Sequence, residues 1–346
     1  MKPQKPSIRT LAAASGYSVA TVSMALRGLG RIPPETRKKI EEVAVESGYM
    51  RDLEMSRLMS RARRPSQAVE REVLAFLAEV PIGPKPDPRS PWLHGMFHAA
   101  RAAARLQGCE MEYVSIGPDP RTQKKLSRSL RNRGIRGLLV GPVTTWSPAV
   151  LALNWDHFAA VELGSTIQKP LLHRVERGFY DDLLEAFERL RAAGYRRIGL
   201  ALPAERLEFM HHMPEATLLY FQKKHPDMVP IEPMHVAHEW SQEGLISWLR
   251  EDKPDVILVY EPNAPRWLAE LKVRVPRDLG VFYLSSTGGR QSGLVPDLDL
   301  LTGEAVHLLI RMVGGAEWGL PRRARSHRFH NLFHQGATIK RGGGKG

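Results

Sequence analysis

Residues 7–23 read S-I-R-T-L-A-A-A-S-G-Y-S-V-A-T-V-S, and the order of residue types in this run decides how the chain begins. Leu11, Ala12 and Ala14 recur at a spacing that predicts a buried face on a helix over 8–15. Gly16 then stops that helix, and Ser18 is placed to cap the next by accepting a hydrogen bond from one of its free N–H groups. Over 19–27, Val22, Ala25 and Leu26 are predicted to point inward, leaving Val19, Ala20, Ser23, Met24 and Arg27 facing outward. A third helix is expected over 34–47, opened by Pro34-Glu35 and closed by Gly48, with Ile40, Val43 and Ala44 completing a three-helix core. Two helices about a glycine turn, backed by a third, make a helix-turn-helix, the motif that seats its second helix in the major groove of DNA.

The charge is concentrated at the ends of the chain. Over the whole 346 residues the formal net charge is +13. Residues 1–65 hold 13 Lys/Arg against 6 Asp/Glu, and residues 319–346 hold 7 Lys/Arg with no acid, so the stretch between is close to neutral. A basic head suits a polyanion, because each phosphate it neutralises releases condensed counterions. A solvated basic terminus would show the same charge without the helical layout. The basic tail is expected to be an exposed end.

Past residue 68, short apolar runs alternate with amphipathic stretches of helix length. The apolar runs are 73–80, 111–115, 137–140, 158–163, 198–202, 234–237, 256–260 and 281–285. The helical stretches are 92–106, 123–131, 179–192, 241–249 and 265–271. Such alternation predicts parallel sheets covered by helices on both faces. Ligands of open α/β sheets bind beyond the carboxyl ends of the strands. The loop residues there with useful chemistry are Trp92, Arg206, Trp240 and Asn263: the indoles can stack on a ring, the guanidinium can fork onto an anion or vicinal hydroxyls, and the amide both donates and accepts.

The run I-R-T-L-A-A-A-S-G-Y-S-V-A-T-V-S at 8–23, with I-P-P-E-T-R-K-K-I at 32–40 and E-S-G-Y at 46–49, resembles the DNA-binding head of the lac repressor family of bacterial transcription regulators. The resemblance continues through L-R-N-R-G-I-R-G-L-L-V-G-P at 130–142, G-Y-R-R-I-G-L at 194–200, P-D-V-I-L-V at 254–259 and V-R-V-P-R-D-L at 273–279. It implies an all-α head (1–50), a hinge helix and linker (51–68), and a two-lobed α/β effector and dimerisation domain like that of periplasmic binding proteins (69–346). The lobes would be 69–164 with 288–335, and 165–287. It further implies a homodimer on a pseudo-palindromic operator of double-stranded DNA, acting as a repressor and controlled by a small-molecule effector, a sugar or related metabolite, in the cleft. DNA contacts would come from Ile8, Arg9, Ser18, Val19, Ala20, Thr21, Ser23, Met24, Arg27, Arg31, Thr36, Tyr49, Arg51, Met55 and Leu58. In the family a hinge leucine wedges into the minor groove, and Leu58 holds that position.

Several positions depart from the family pattern. Met24 stands where members commonly carry Arg, which can pair bidentately with guanine. Met50, Arg51 and Asp52 replace the usual x-Pro-Asn; Arg51 can reach phosphate, and Asp52 can cap the short helix that follows. Arg177 and Gly178 stand where many members have Asp and Asn, and Tyr195 replaces a usual His.

No catalytic constellation is visible. His94 and His98, like His330 and His334, are spaced to share a metal, but neither pair sits in an H-E-x-x-H frame and no Cys accompanies them. His211-His212 and His238-Glu239 read as surface or cleft residues. The run S-S-T-G-G at 285–289 lacks phosphate-loop spacing, and no G-x-S-x-G elbow occurs. An enzyme, a cofactor and a metal are therefore not expected. Cys109 is the single cysteine, so no intrachain disulfide can form. The polar, basic start and the lack of a long apolar run lead to the expectation of a cytoplasmic protein with no membrane partner. Two further readings fit the residues: a regulator answering to a protein partner instead of a metabolite, and a cytoplasmic sugar-binding protein with a vestigial head.

Overall fold

Serine and threonine hydroxyls start the first two helices. The computed structural model describes residues 7–26, 32–47, 72–81, 83, 85, 91–260 and 263–341. Ser7 Oγ accepts from the Thr10 N–H at 3.2 Å while Thr10 Oγ1 accepts from the Ser7 N–H at 2.7 Å, a reciprocal box that satisfies two otherwise orphaned donors of α1 (Ile8–Ser15). Gly16 ends α1 in the left-handed region at φ +75°, its N–H donating to the Ala12 carbonyl. Ser18 Oγ accepts from the Thr21 N–H at 3.0 Å and opens α2 (Val19–Leu26). Leu11, Ala12, Val22, Ala25, Ile40 and Ala44 form the small core that these helices share with α3 (Pro34–Glu46), and Ile8, Tyr17, Leu26, Ile32 and Val43 pack against it. Ala14, expected inside, is exposed, and Ser15 is buried in its place. The inward stripe of α1 passes through 8, 11, 12 and 15, and Ala14 lies off it.

The chain forms two compact units, one holding these helices and the other both sheets. In the second unit, β1 (Glu72–Ala78), α4 (Pro91–Leu106), β2 (Cys109–Ser115), α5 (Pro120–Asn132), β3 (Gly137–Val140), β4 (Ala159–Leu163) and β5 (His173–Arg177) follow in order. The chain then runs through α6 (Phe179–Ala192), β6 (Ile198–Leu200), α7 (Ala204–Phe209), α8 (Met213–Lys224), α9 (Met234–Ala237), α10 (Gln242–Glu251), β7 (Val256–Val259), α11 (Asn263–Glu270) and β8 (Gly280–Tyr283). It closes with β9 (Gly293–Val295), α12 (Leu298–Gly315), β10 (Ser326–Phe329) and β11 (Leu332–His334). The first sheet has the order β10-β5-β4-β3-β1-β2 and is parallel throughout. The second has the order β11-β9-β8-β7-β6 and is parallel except for β11.

Helices cover both faces of the second sheet, so its central strand β7 is apolar and buried at every position. Val256, Leu258 and Phe282 face Leu183, Phe187 and Leu190 of α6 and Leu218 and Phe221 of α8, with the Phe187 and Phe221 rings 5.3 Å apart. The alternate residues Ile257, Val259 and Val281 face Leu245 and Trp248 of α10 and Ala264 and Leu268 of α11. Each such fully buried side chain contributes roughly 2 kcal/mol against the ordering entropy of the chain. Tyr195, the residue that departs from the family's usual His, is fully buried, and its hydroxyl accepts from the Lys340 N–H at 2.7 Å. It ties the C-terminal strand of chain to the second sheet. A Cβ on Gly280 would come within 2.6 Å of that hydroxyl, so the neighbouring position has no room for a side chain.

Two expectations need correction. Residues 234–237, read as an apolar strand-like run, form the short helix α9: Pro233 precedes it, Met234 is fully buried while Val236 is exposed, and the Met234 carbonyl takes the His238 N–H. The seam expected near residue 165 falls later, because β5 is part of the first sheet and the chain crosses at Gly178. The stretch 288–335, expected in the first lobe, is divided: β9 and β11 belong to the second sheet and only β10 to the first. The proposed hinge over 52–59, the linker, and Arg27, Arg31, Tyr49, Arg51, Met55 and Leu58 lie outside the described residues.

Glu162 on β4 is fully buried beside Arg174, its neighbour on β5, with an Nη2 to Oε2 distance of 3.5 Å, and it accepts from the Ile167 N–H at 2.8 Å. Burial outweighs these contacts and pushes its pKa up to about 7 from 4.5. A carboxyl group that holds its proton more tightly in the folded state contributes stability below its unfolded pKa and loses it as pH rises through the folded one. Unfolding free energy is expected to fall between pH 5 and pH 8, with Glu162 supplying about 3 kcal/mol of the drop at most. Glu162→Gln, compared by chemical denaturation across that range, should flatten the profile; an unchanged slope would remove Glu162 as its source.

Candidate functional site

Among the described residues, the exposed side chains of α2 are Val19, Ala20 and Met24, which are apolar. Val19 is 47% and Met24 36% exposed, and Ala20 is exposed beside them. The opposite face, Val22 and Ala25, is committed to the core. Of the other head residues expected at DNA, Arg9 is exposed on α1, while Thr21, Ser23 and Thr36 are half-buried. Ile8 packs partly into the helical core, and the Ser18 hydroxyl is engaged in capping and in a 2.8 Å hydrogen bond with Thr21 Oγ1. Val19, Ala20 and Met24 can pack against thymine methyl groups and offer no bidentate donor to guanine.

A second constellation forms where the two sheets meet. Trp92, at the start of α4 after β1 of the first sheet, and Arg206, on α7 after β6 of the second, come together: the Arg206 guanidinium carbon lies 5.6 Å from the Trp92 ring centroid and 5.1 Å from that of Tyr260 at the end of β7. Asn263 begins α11 just after Tyr260, and Trp240 packs on Trp267 of that same helix at 5.1 Å. Trp240 is thus held by the core on at least one side. Trp92 and Arg206 are the two sequence-predicted residues that the fold joins across the sheets.

Sequence reasoning missed the residues between them. Arg177, at the end of β5, donates from Nε to Asn331 Oδ1 at 2.6 Å and from Nη2 to the Leu284 carbonyl at 2.7 Å, and its guanidinium lies over the Phe179 ring at 4.4 Å. Leu284 follows β8, so this side chain bridges the two sheets. Burial lowers its pKa from the usual arginine value, with Tyr260 and Asp182 opposing the shift. Asp182, in the first turn of α6, accepts from His330 Nδ1 at 2.7 Å, from the Asn331 N–H at 2.9 Å and from Asn331 Nδ2. That hydrogen bond holds the His330 imidazolium above the usual histidine range. On the first sheet, the Glu79 carboxylate after β1 accepts from the Thr145 N–H at 2.7 Å and from Thr144 Oγ1 at 3.0 Å, fixing the loop after β3. The departure Arg177-Gly178 was visible in the sequence, but its partners lie more than a hundred residues away.

His94 and His98 stand with Nε2 atoms 2.7 Å apart on α4, and His334 Nε2 donates to the Gly289 carbonyl at 2.9 Å, while His330 is engaged with Asp182. Among the described residues no group of three or more His, Cys, Asp or Glu is gathered as for a metal ion, and no helix is long and apolar enough to cross a membrane.

Residues 7–52 match the family model described as bacterial regulatory proteins, lacI family. Over those residues the head is similar to the lacI family. That family comprises DNA-binding transcription regulators. No curated protein sequence matches the chain. Among solved structures, the lac repressor dimer bound to operator and the anti-inducer ONPF is 17% identical, with 97% of this chain and 99% of that one covered and a TM-score of 0.56. The transcriptional regulator CelR in complex with cellobiose is 17% identical over 96% and 99%, at 0.54. A periplasmic binding protein/LacI transcriptional regulator from Alkaliphilus metalliredigens, complexed with D-xylulofuranose, is 14% identical over 78% and 99%, at 0.56. At these identities the likeness is one of fold: a helix-turn-helix head followed by parallel α/β sheets of the periplasmic-binding-protein kind.

In the head, the exposed apolar residues of α2 generate a direct test. Met24→Arg places a bidentate donor on the outward face and is expected to shift the selected half-site toward guanine, with roughly 1–3 kcal/mol of new discrimination at one base pair. Site selection from random duplexes reads this; an unchanged half-site would show that position 24 does not face a base.

Proposed function

We propose that this chain is a repressor that binds a pseudo-palindromic operator as a homodimer and answers to a small molecule held where its two sheets meet. The observation that carries the DNA half of this reading is the solvent-facing Val19, Ala20 and Met24 on a capped second helix whose other face is fully committed to the core. One such helix would enter the major groove of each half-site, with Arg9, Arg27, Arg31 and Arg51 on phosphate and the paired 52–59 segments opening the minor groove around Leu58. Two half-sites call for a twofold dimer.

The proposed organisation is a head over 1–50, a hinge and linker over 51–68, and a ligand-sensing part whose lobes follow the two sheets, with the first crossing at Gly178. Trp92 and Arg206 come from different sheets, and a ligand between them would change how far the sheets close. Such a ligand acts only through a difference in affinity between the open and closed arrangements. Trp240 and Asn263 are assigned to the same ligand from the second sheet. The lac repressor bound to operator, and the sugar complexes of CelR and of the Alkaliphilus protein, support this reading by likeness of fold.

A genome-fragment selection with the full chain at near-physiological salt tests the proposal. Recovery of a palindromic site, bound by two copies of the chain in sedimentation analysis, is the expected result. Retention that is purely non-specific and falls steeply with salt, with and without added metabolites, would overturn it.

A further inference from the structure

The charge gathered between the two sheets exceeds what a neutral ligand uses. Arg177 is half-buried, yet the groups it meets are neutral: Asn331 Oδ1 at 2.6 Å, the Leu284 carbonyl at 2.7 Å and the Tyr260 side chain. Asp182, the carboxylate that acts on it, is already engaged at both oxygens by His330 and Asn331. The Arg206 guanidinium lies over the rings of Trp92 and Tyr260 and, among the described residues, makes no hydrogen bond or ion pair. Stacking holds the flat face of a guanidinium and leaves the N–H donors along its edge free. The two arginines flank one side chain, Tyr260, at the carboxyl ends of β5, β6 and β7, where open α/β sheets bind ligands.

Burying a guanidinium without a bonded anion is costly. An oxyanion placed against both would offset that cost at Arg177 and accept charge-assisted hydrogen bonds from the free edge of Arg206. We propose that the effector is a small anionic metabolite, a phosphate ester or a carboxylate, whose oxyanion is held by Arg206 and Arg177 while its remaining atoms stack on Trp92. This rests on the ligand-sensing reading above and narrows it from a sugar in general to a charged one. It also gives Arg177 a role that an Asp at the same position would reverse, since a carboxylate there repels an anion and suits hydroxyl groups.

Isothermal titration of the full chain with matched pairs tests the charge directly: glucose 6-phosphate against glucose, ribose 5-phosphate against ribose, and gluconate against sorbitol, with inorganic phosphate alone as a control. The expected result is that a charged member binds while its neutral partner is weaker by roughly 30-fold or more. The phosphate and gluconate arms tell the two sources of oxyanion apart. Arg206→Met, at a half-exposed site, should cost the charged member a similar factor while leaving the melting temperature of the ligand-free protein within a few degrees. Arg177→Lys keeps the charge where a neutral residue could unfold the crossing, and should weaken binding by a smaller factor. Neutral members that bind as tightly as their charged partners, with Arg206→Met still abolishing binding, would overturn the anionic assignment and leave the sensing role standing. Inorganic phosphate binding as well as the esters, an adventitious ion only, would also overturn it. If no pair member binds while operator binding is intact, the charged effector and the sensing role fall together.

Discussion

The buried Asp182 carboxylate is the point on which the two-sheet part of the molecule depends. It receives His330 Nδ1 and both the N–H and the amide nitrogen of Asn331, and Asn331 in turn accepts from Arg177. These residues belong to two separate passages of the chain between the sheets, β5 to α6 and β10 to β11, and the Gly178 N–H joins them again by donating to the Phe329 carbonyl at 2.8 Å. Gly178 has little space for anything larger, since an added Cβ would meet Arg328 Cγ at 3.2 Å. Removing one partner of such a network leaves the others buried and unpaired, which costs more than the net value of any single bond. The crossing is therefore built to hold one arrangement, while Arg177 extends from it toward the second sheet with donors to spare.

The head is organised on a different economy. Few residues are buried, so its order leans on caps: the Ser7 and Thr10 box, the left-handed Gly16, and Ser18 on Thr21. Together these set the angle at which α2 leaves the turn. Among the described residues, what is exposed on α2 is methyl and thioether surface, and Arg9 is exposed on α1. Under the proposed function this separates the two tasks of DNA recognition, with arginines giving salt-sensitive attachment to phosphate and the apolar face contributing sequence preference.

Much of this was legible in the residues. The head could be read almost position by position because helix periodicity, glycine and capping hydroxyls are local signals; the one misplaced side chain, Ala14, is small enough to sit on either face. The strand and helix alternation of the sheets was equally plain, except where a four-residue apolar run, 234–237, is too short for periodicity to separate strand from helix. The seam was not legible. Nothing local distinguishes β5 from the strands around it, and short strands such as β9 and β11 take their sheet from distant partners. Arg177 shows the same limit: the sequence marks it as a departure, and only the fold reveals Asn331, Leu284 and Tyr260 around it. Trp92 and Arg206 were chosen for chemistry and loop position, and the fold brings them together; Trp240 was chosen on the same grounds and is half absorbed by Trp267.

A regulator that senses a ligand must show thermodynamic linkage between its two binding events. The most direct measurement is the affinity of the full chain for its selected operator with and without saturating ligand, paired with ligand affinity with and without operator. The two ratios should be equal and lie at roughly 5- to 150-fold. Operator affinity unchanged by a ligand that demonstrably binds would contradict the coupling of the Arg177 and Arg206 site to DNA recognition.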